Sequence, residues 1–188
     1  MPLEAATREC LLWVARRSIE RKFRGDQAAP EASVDDAELA EPRATFVTLK
    51  KKSALRGCIG VLEPVRPLLL DVAHNAHAAA FQDPRFAPLL PEELRELVIE
   101  ISVLSSPVPL AVRDRAGLLG ALEPGRDGLI LQEGIRRATF LPVVWESLPQ
   151  PHEFLTHLMH KAGLAPDYWS ESLKIYRYTT ECFSEDGV

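Results

Sequence analysis

The chain has 188 residues, 46% of them hydrophobic and 26% charged, the balance of an ordinary globular protein rather than a disordered one. That length supports one domain, or two intimately packed lobes, with a sizeable core. A net charge of −5, with no long basic block, argues against broad binding to a nucleic-acid backbone.

Between Leu3 and Phe23 the apolar residues Leu11, Val14, Ala15, Ile19 and Phe23 recur at helical spacing, and Gly25 supplies a stop. The basic cluster "ARRSIERKFR" shares that helix and reads as its solvated face. The start lacks a basic stretch followed by an apolar core, and nowhere do about 18 apolar residues run together, so neither export nor a membrane span is expected. Residues 25–42 are rich in Ala, Asp, Glu and Pro and read as an exposed, mobile connection holding about one helical turn. The β-branched run "ATFVTLKK", the turn "KS" and the return "ALRGCIGVLE" predict a hairpin.

Pro67 to Gln82 reads as a helix with Leu68, Val72, Ala76 and Ala79 along one side, followed by a turn at "DPRFAPLLPEEL". The segment "LVIEISVLS" has the composition of a buried strand with Leu97, Ile99, Ile101 and Val103 on one face and Glu100 on the other. The stretch "AGLLGALEPGRDGLILQEGIRRATFLP" next suggests a short helix, a Gly-rich turn, and a hairpin of "GLILQEG" with "IRRATFL". A short helix near Val143 to Leu148, a longer one from Pro151 to Ala162, and one closing strand in "LKIYRYTTECFSE" complete the pattern.

Cys10, Cys58 and Cys182 are odd in number and have no paired spacing, so neither a disulfide framework nor a zinc ribbon is expected, and the thiols suit a reducing cytoplasm. His74 with His77, and His157 with His160, stand three apart on predicted helices. Each pair falls largely away from its helix's apolar side, so solvated faces are expected rather than metal ligands. There is no P-loop, dinucleotide fingerprint or serine nucleophile elbow, and no cofactor is expected.

The blocks "FVTLKK", "LRGCIG", "AAFQDPRFAPL", "IEISVLSSP", "GLILQEG", "FLPVVWE" and "FLTHLMHKAGL" occur in the order seen in AMMECR-domain proteins, the protein A component of AmmeMemoRadiSam systems. The chain resembles that family from about Glu4 to Glu185, most specifically at "LRGCIG" and "DPRF". The resemblance implies a single AMMECR-like domain over residues 1–188, of α+β architecture, in which a mixed or antiparallel sheet packs with helices. It also implies a larger and a smaller lobe with the cysteine motif at a cleft between them, a cytosolic protein, and Memo-like and radical-SAM partners. Two departures stand out: Val143 occupies a position where the family often has Gln or Glu, and Met159 one where many relatives carry a cysteine. If that swap is tolerated, Cys58 is the thiol left to be reactive.

In a regular strand Arg56, Cys58 and Gly60 share one face, while Leu55, Gly57 and Ile59 share the other. Gly60 would let a ligand or another backbone approach, and Gly57 would allow a bulge or tight packing behind. A free thiol of pKa about 8.5 is only about 3% thiolate at pH 7. A cation about 4 Å away contributes roughly 1 kcal/mol in water and up to roughly 4 kcal/mol in a shielded cleft, so Arg56 needs a cleft to activate Cys58. Otherwise Cys58 is a small buried hydrophobe, with Arg56 capping a carboxylate such as Glu100.

Asp83, Arg85 and Phe86 on the "FQDPRF" loop could bind an anion or an aromatic ring, or Asp83 could cap a turn that Arg85 ties to a strand. Glu100, inside an apolar strand, is expected to pair with Arg56 or act as a base. Three functions compete. One is a cysteine-dependent enzyme or enzyme component acting on a small anionic or aromatic metabolite; the second is a non-catalytic adaptor for the implied partners; the weakest is a nucleic-acid regulator.

Overall fold

The computed structural model describes residues 2–25 and 37–187, so most of the expected mobile connection, residues 26–36, lies outside the described residues. The chain forms two compact units, residues 1–104 together with 181–188, and residues 105–180. Each is an antiparallel sheet packed with helices, the α+β architecture expected.

The first unit begins with α1 (Ala5–Arg24), whose buried residues include Leu11, Val14, Ala15 and Ile19. It ends where Gly25 takes φ of 68°, a left-handed conformation suited to glycine, after a last turn whose Arg21, Lys22 and Arg24 complement the helix dipole. A short α2 (Ala37–Ala40) buries Leu39. The hairpin of β1 (Thr45–Lys51) and β2 (Ala54–Gly60) closes through Lys52 and Ser53, both at positive φ, the two-residue turn whose twist matches the strands. Then α3 (Leu68–Phe81) starts just after Pro67, and its first free N–H, on Leu68, donates to the Glu41 carbonyl at 2.9 Å. The segment expected as a turn contains a 3-10 helix (Pro91–Glu96) leading into β3 (Leu97–Leu104).

The strand order of the first sheet is β2-β1-β3-β8, where β8 spans Thr180–Ser184. Strand alternation puts Val47, Leu49, Ile99, Ile101 and Val103 on one face, in a shared core with residues of α1 and α3. Phe46, Thr48, Lys50, Glu100 and Ser102 lie on the other face and are half-buried.

The second unit holds β4 (Val108–Pro109), α4 (Arg115–Ala121), β5 (Gly128–Glu133), β6 (Arg136–Phe140), a 3-10 helix (Pro142–Glu146), α5 (Pro151–Lys161) and β7 (Lys174–Tyr178). Its sheet order is β4-β7-β5-β6. Its core contains Leu129, Leu131, Phe154, Leu158, Met159 and Ile175, and Trp145 stacks flat on Phe154 with centroids 3.8 Å apart. Met159 is thus a core residue, whereas Val143 is 58% exposed.

One expectation needs correction, and one strand is new. The single closing strand is two strands in two sheets, because Thr179 leaves the ladder: its N–H donates to Ser105 Oγ at 3.0 Å and its carbonyl accepts from Ser105 N–H at 2.9 Å. The two-residue β4, too short to show a period, was not expected at all. No helix among the described residues is long and apolar enough to cross a membrane.

Candidate functional site

The motif around Cys58 is shaped by a bulge. Lys50 pairs with Leu55 and Leu49 with Gly57, which leaves Arg56 as the extra residue of β2. Beyond it Thr48 pairs with Cys58, and on the other side of β1 Thr48 pairs with Glu100. Cys58, Thr48 and Glu100 therefore form one row across three strands, on the face away from the core. Thr48 Oγ1 donates to Cys58 Sγ at 3.3 Å.

The backbone of Cys58 is held from outside the sheet. Its N–H donates to Asp83 Oδ2 at 2.9 Å, and its carbonyl accepts from Arg85 at 3.1 Å. Both groups point away from β1, as in a non-hydrogen-bonded antiparallel pair, the arrangement that brings opposing side chains closest. Asp83 and Arg85 close the circle, pairing through Oδ1 at 3.0 Å and Oδ2 at 2.7 Å. The loop after α3 thus covers the edge of β2 at Cys58 with one acceptor and one donor, where an open strand edge would expose both.

Asp83 is buried, and the Arg85 guanidinium holds its carboxyl well below the usual carboxylate range, with the Cys58 and Arg85 backbone N–H groups adding to the effect. Arg85 is raised in turn, first by Asp83 and to a lesser degree by Cys58, and its side chain is 54% exposed.

Arg56 is engaged elsewhere. Its guanidinium grips Glu93 of the first 3-10 helix at 3.1 and 2.9 Å, and Lys51 joins the same carboxylate at 3.1 Å. This pairing replaces the expected one with Glu100. Lys51, two residues from core-facing Leu49, lies on the same side of β1, so the shared partner marks Arg56 as turned out of the Cys58 row by the bulge. Arg56, followed by the Leu90 N–H and Lys51, lowers Glu93 to about 2. Phe86 lies under both guanidiniums, 6.0 Å from Arg56 and 5.5 Å from Arg85. Glu100 itself pairs with Lys50 at 2.9 Å.

The two glycines differ. A Cβ on Gly57 would stand 2.2 Å from the Ala79 carbonyl oxygen, so β2 sits directly on α3 there. At Gly60 the close approach is made by the chain itself rather than by a ligand: a Cβ would meet the Phe46 ring at 2.3 Å and the Thr45 backbone carbonyl oxygen at 2.4 Å. Thr45 belongs to a buried polar group in which Asp71 accepts from Thr45 N–H, Thr45 Oγ1, Asn75 and Arg66 at 2.7–3.1 Å. His74, His157 and His160 are exposed; His77 is half-buried against Phe81 and lowered by burial, then by Lys22, His74 and Arg21.

Sequence reasoning missed Glu93, Thr48 and Asp71. Glu93 lay in a stretch read as a turn, although Pro followed by two acidic residues signals a helix start. Thr48 is found only by counting the hairpin with its bulge.

Two antiparallel sheets, each packed with helices, and a cysteine-bearing hairpin edged by an Asp-Pro-Arg loop define the class. The AMMECR1 family model matches residues 12–183, and the chain belongs to that family. It is 39% identical over 194 residues to a protein of Methanothermobacter thermautotrophicus, covering 99% of this chain and 98% of that one. It is 37% identical over 199 residues to a protein of Thermofilum pendens, covering 97% and 92%. Its structure is similar to the crystal structure of an uncharacterized protein from Pyrococcus horikoshii, with a TM-score of 0.81, 37% identity, and 94% and 90% of the two chains covered.

Proposed function

We propose that the chain is a thiol-dependent enzyme, or an enzyme component, in which Cys58 acts as nucleophile or redox thiol on a small anionic or aromatic metabolite. One observation carries this reading. Cys58 lies half-buried on the polar face of its sheet while both of its backbone polar groups are held by an ion pair, more fixing than a packing cysteine requires. Arg85, more open than Arg56 and bonded to the Cys58 carbonyl, is the better candidate for the electrostatic partner. Phe86 adds an aromatic surface, and Glu100 with Lys50 adds a carboxylate and an ammonium one strand beyond Thr48. The resemblance alone supports the cytosolic setting and the Memo-like and radical-SAM partners.

A Cys58→Ser chain is expected to fold like the parent and to leave unchanged a metabolite that the parent consumes from an extract of anionic and aromatic small molecules, read by mass spectrometry. Identical pools from the two chains would overturn the enzymatic reading.

The adaptor reading has one observation in its favour. Leu55, beside Arg56, is 46% exposed, and Leu90, bonded to Glu93 through its N–H, is 53% exposed, so apolar surface flanks the same ion pair. On that reading Cys58→Ala preserves function.

A further inference from the structure

The reading of Cys58 as the working thiol leaves open what keeps its sulfur ready to react, and the inference here rests on that reading. Thr48 sits on β1, between β2 and β3, and its register is fixed on both sides, by Cys58 and by Glu100. As a β-branched residue it has little χ1 freedom, so its hydroxyl is held rather than roving. That hydroxyl is the donor and Sγ the acceptor, at 3.3 Å. A thiolate accepts a hydrogen bond far better than a neutral thiol does, so a fixed donor favours the charged form.

The charged groups on the segments beside Cys58 come from four places. Arg85 and Asp83 belong to the loop after α3, and Lys50 of β1 and Glu100 of β3 are paired with each other. Arg56 of β2 is tied to Glu93. Asp83 is answered by Arg85 and Glu100 by Lys50, while Thr48 contacts the sulfur directly and adds stabilisation without a charge of its own.

We propose that Thr48 is a positioning residue for Cys58: its O–H donates to the sulfur once the thiol proton has left to solvent, and so holds the thiolate in place for attack on an electrophile. Valine has nearly the shape of threonine without the donor, and serine keeps the donor without the methyl.

The test is alkylation of the full-length protein by iodoacetamide across pH, in which the Cys58 sulfur forms a C–S bond as iodide leaves, with Cys58 resolved from Cys10 and Cys182 by peptide mass. In Thr48→Val the rise of rate with pH is expected to move up by about one unit, the worth of one hydrogen bond to a charged group. Below the midpoint of the parental profile that shift leaves the rate about threefold lower, because the greater nucleophilicity of a more basic thiolate recovers part of the lost thiolate. Thr48→Ser is expected to keep the parental profile, and Thr48→Ala, the second variant lacking the hydroxyl, to move with Thr48→Val. If Val and Ala keep the parental profile, or Ser moves as far as they do, the hydroxyl has no such role. Failure of the enzymatic reading registers separately, in the metabolite comparison with Cys58→Ser.

Discussion

Replacing Gly57 by alanine is expected to destabilise the first unit by about 3 kcal/mol or more, the upper range for overpacking. The added Cβ would lie 2.2 Å from the Ala79 carbonyl oxygen and 3.1 Å from its carbon. Both atoms belong to the backbone of α3, so relief requires moving the helix or the strand, not turning a side chain. Gly57 is not at positive φ, so the cost is contact rather than backbone strain. Denaturant unfolding of the two chains would measure it; a loss below about 0.5 kcal/mol, as for an ordinary surface change, would mean that β2 is not seated on α3 at this point. The same displacement would carry Cys58 with it, which links the packing of the motif to its chemistry.

Replacing Asp83 by asparagine is expected to cost about 2 kcal/mol at pH 7. Removing one member of a fully buried ion pair costs about 3–5 kcal/mol, and the half-exposed Arg85 places this pair lower. The loss arises because the Cys58 N–H and the Arg85 guanidinium both lose a charged acceptor. The pH dependence follows from the direction of the Asp83 shift. Its folded-state pKa lies below the unfolded value of about 3.9, so its contribution is complete above that value and is lost as pH falls through it toward the folded pKa. The stability difference between parent and variant should therefore be level from about pH 5 to 8 and shrink below about pH 4. Equal stabilities at pH 7, or a difference that grows on acidification, would show that the edge clamp contributes nothing.

The helices and most of the strands were legible because their apolar residues repeat at 3.6 or 2 residues. Leu11, Val14, Ala15 and Ile19 mark α1, and Ile99, Ile101 and Val103 mark β3. The site was legible in its residues and less so in its pairings. Counting back from Lys52 and Ser53 pairs Thr48 with Gly57, and only the extra residue at Arg56 moves the partner to Cys58. That single shift makes Thr48 the neighbour of the sulfur and sends Arg56 to Glu93. Composition signals that Gly57 permits a bulge but not where the extra residue falls. Gly60 shows the same limit, since a missing side chain reads as open space until the cross-strand partner, Phe46, is seen to fill it. The break between β7 and β8 depends on bonds from Thr179 to Ser105, 74 positions away in the chain, which local alternation does not record.

The most direct test of Cys58 as the working thiol is its alkylation in the folded chain as pH is raised, with Cys10 and Cys182 as internal references. Cys58 is predicted to react first, faster than exposed Cys182. A Cys58 that stays silent until the chain unfolds, or that reacts no faster than Cys182, would contradict the account.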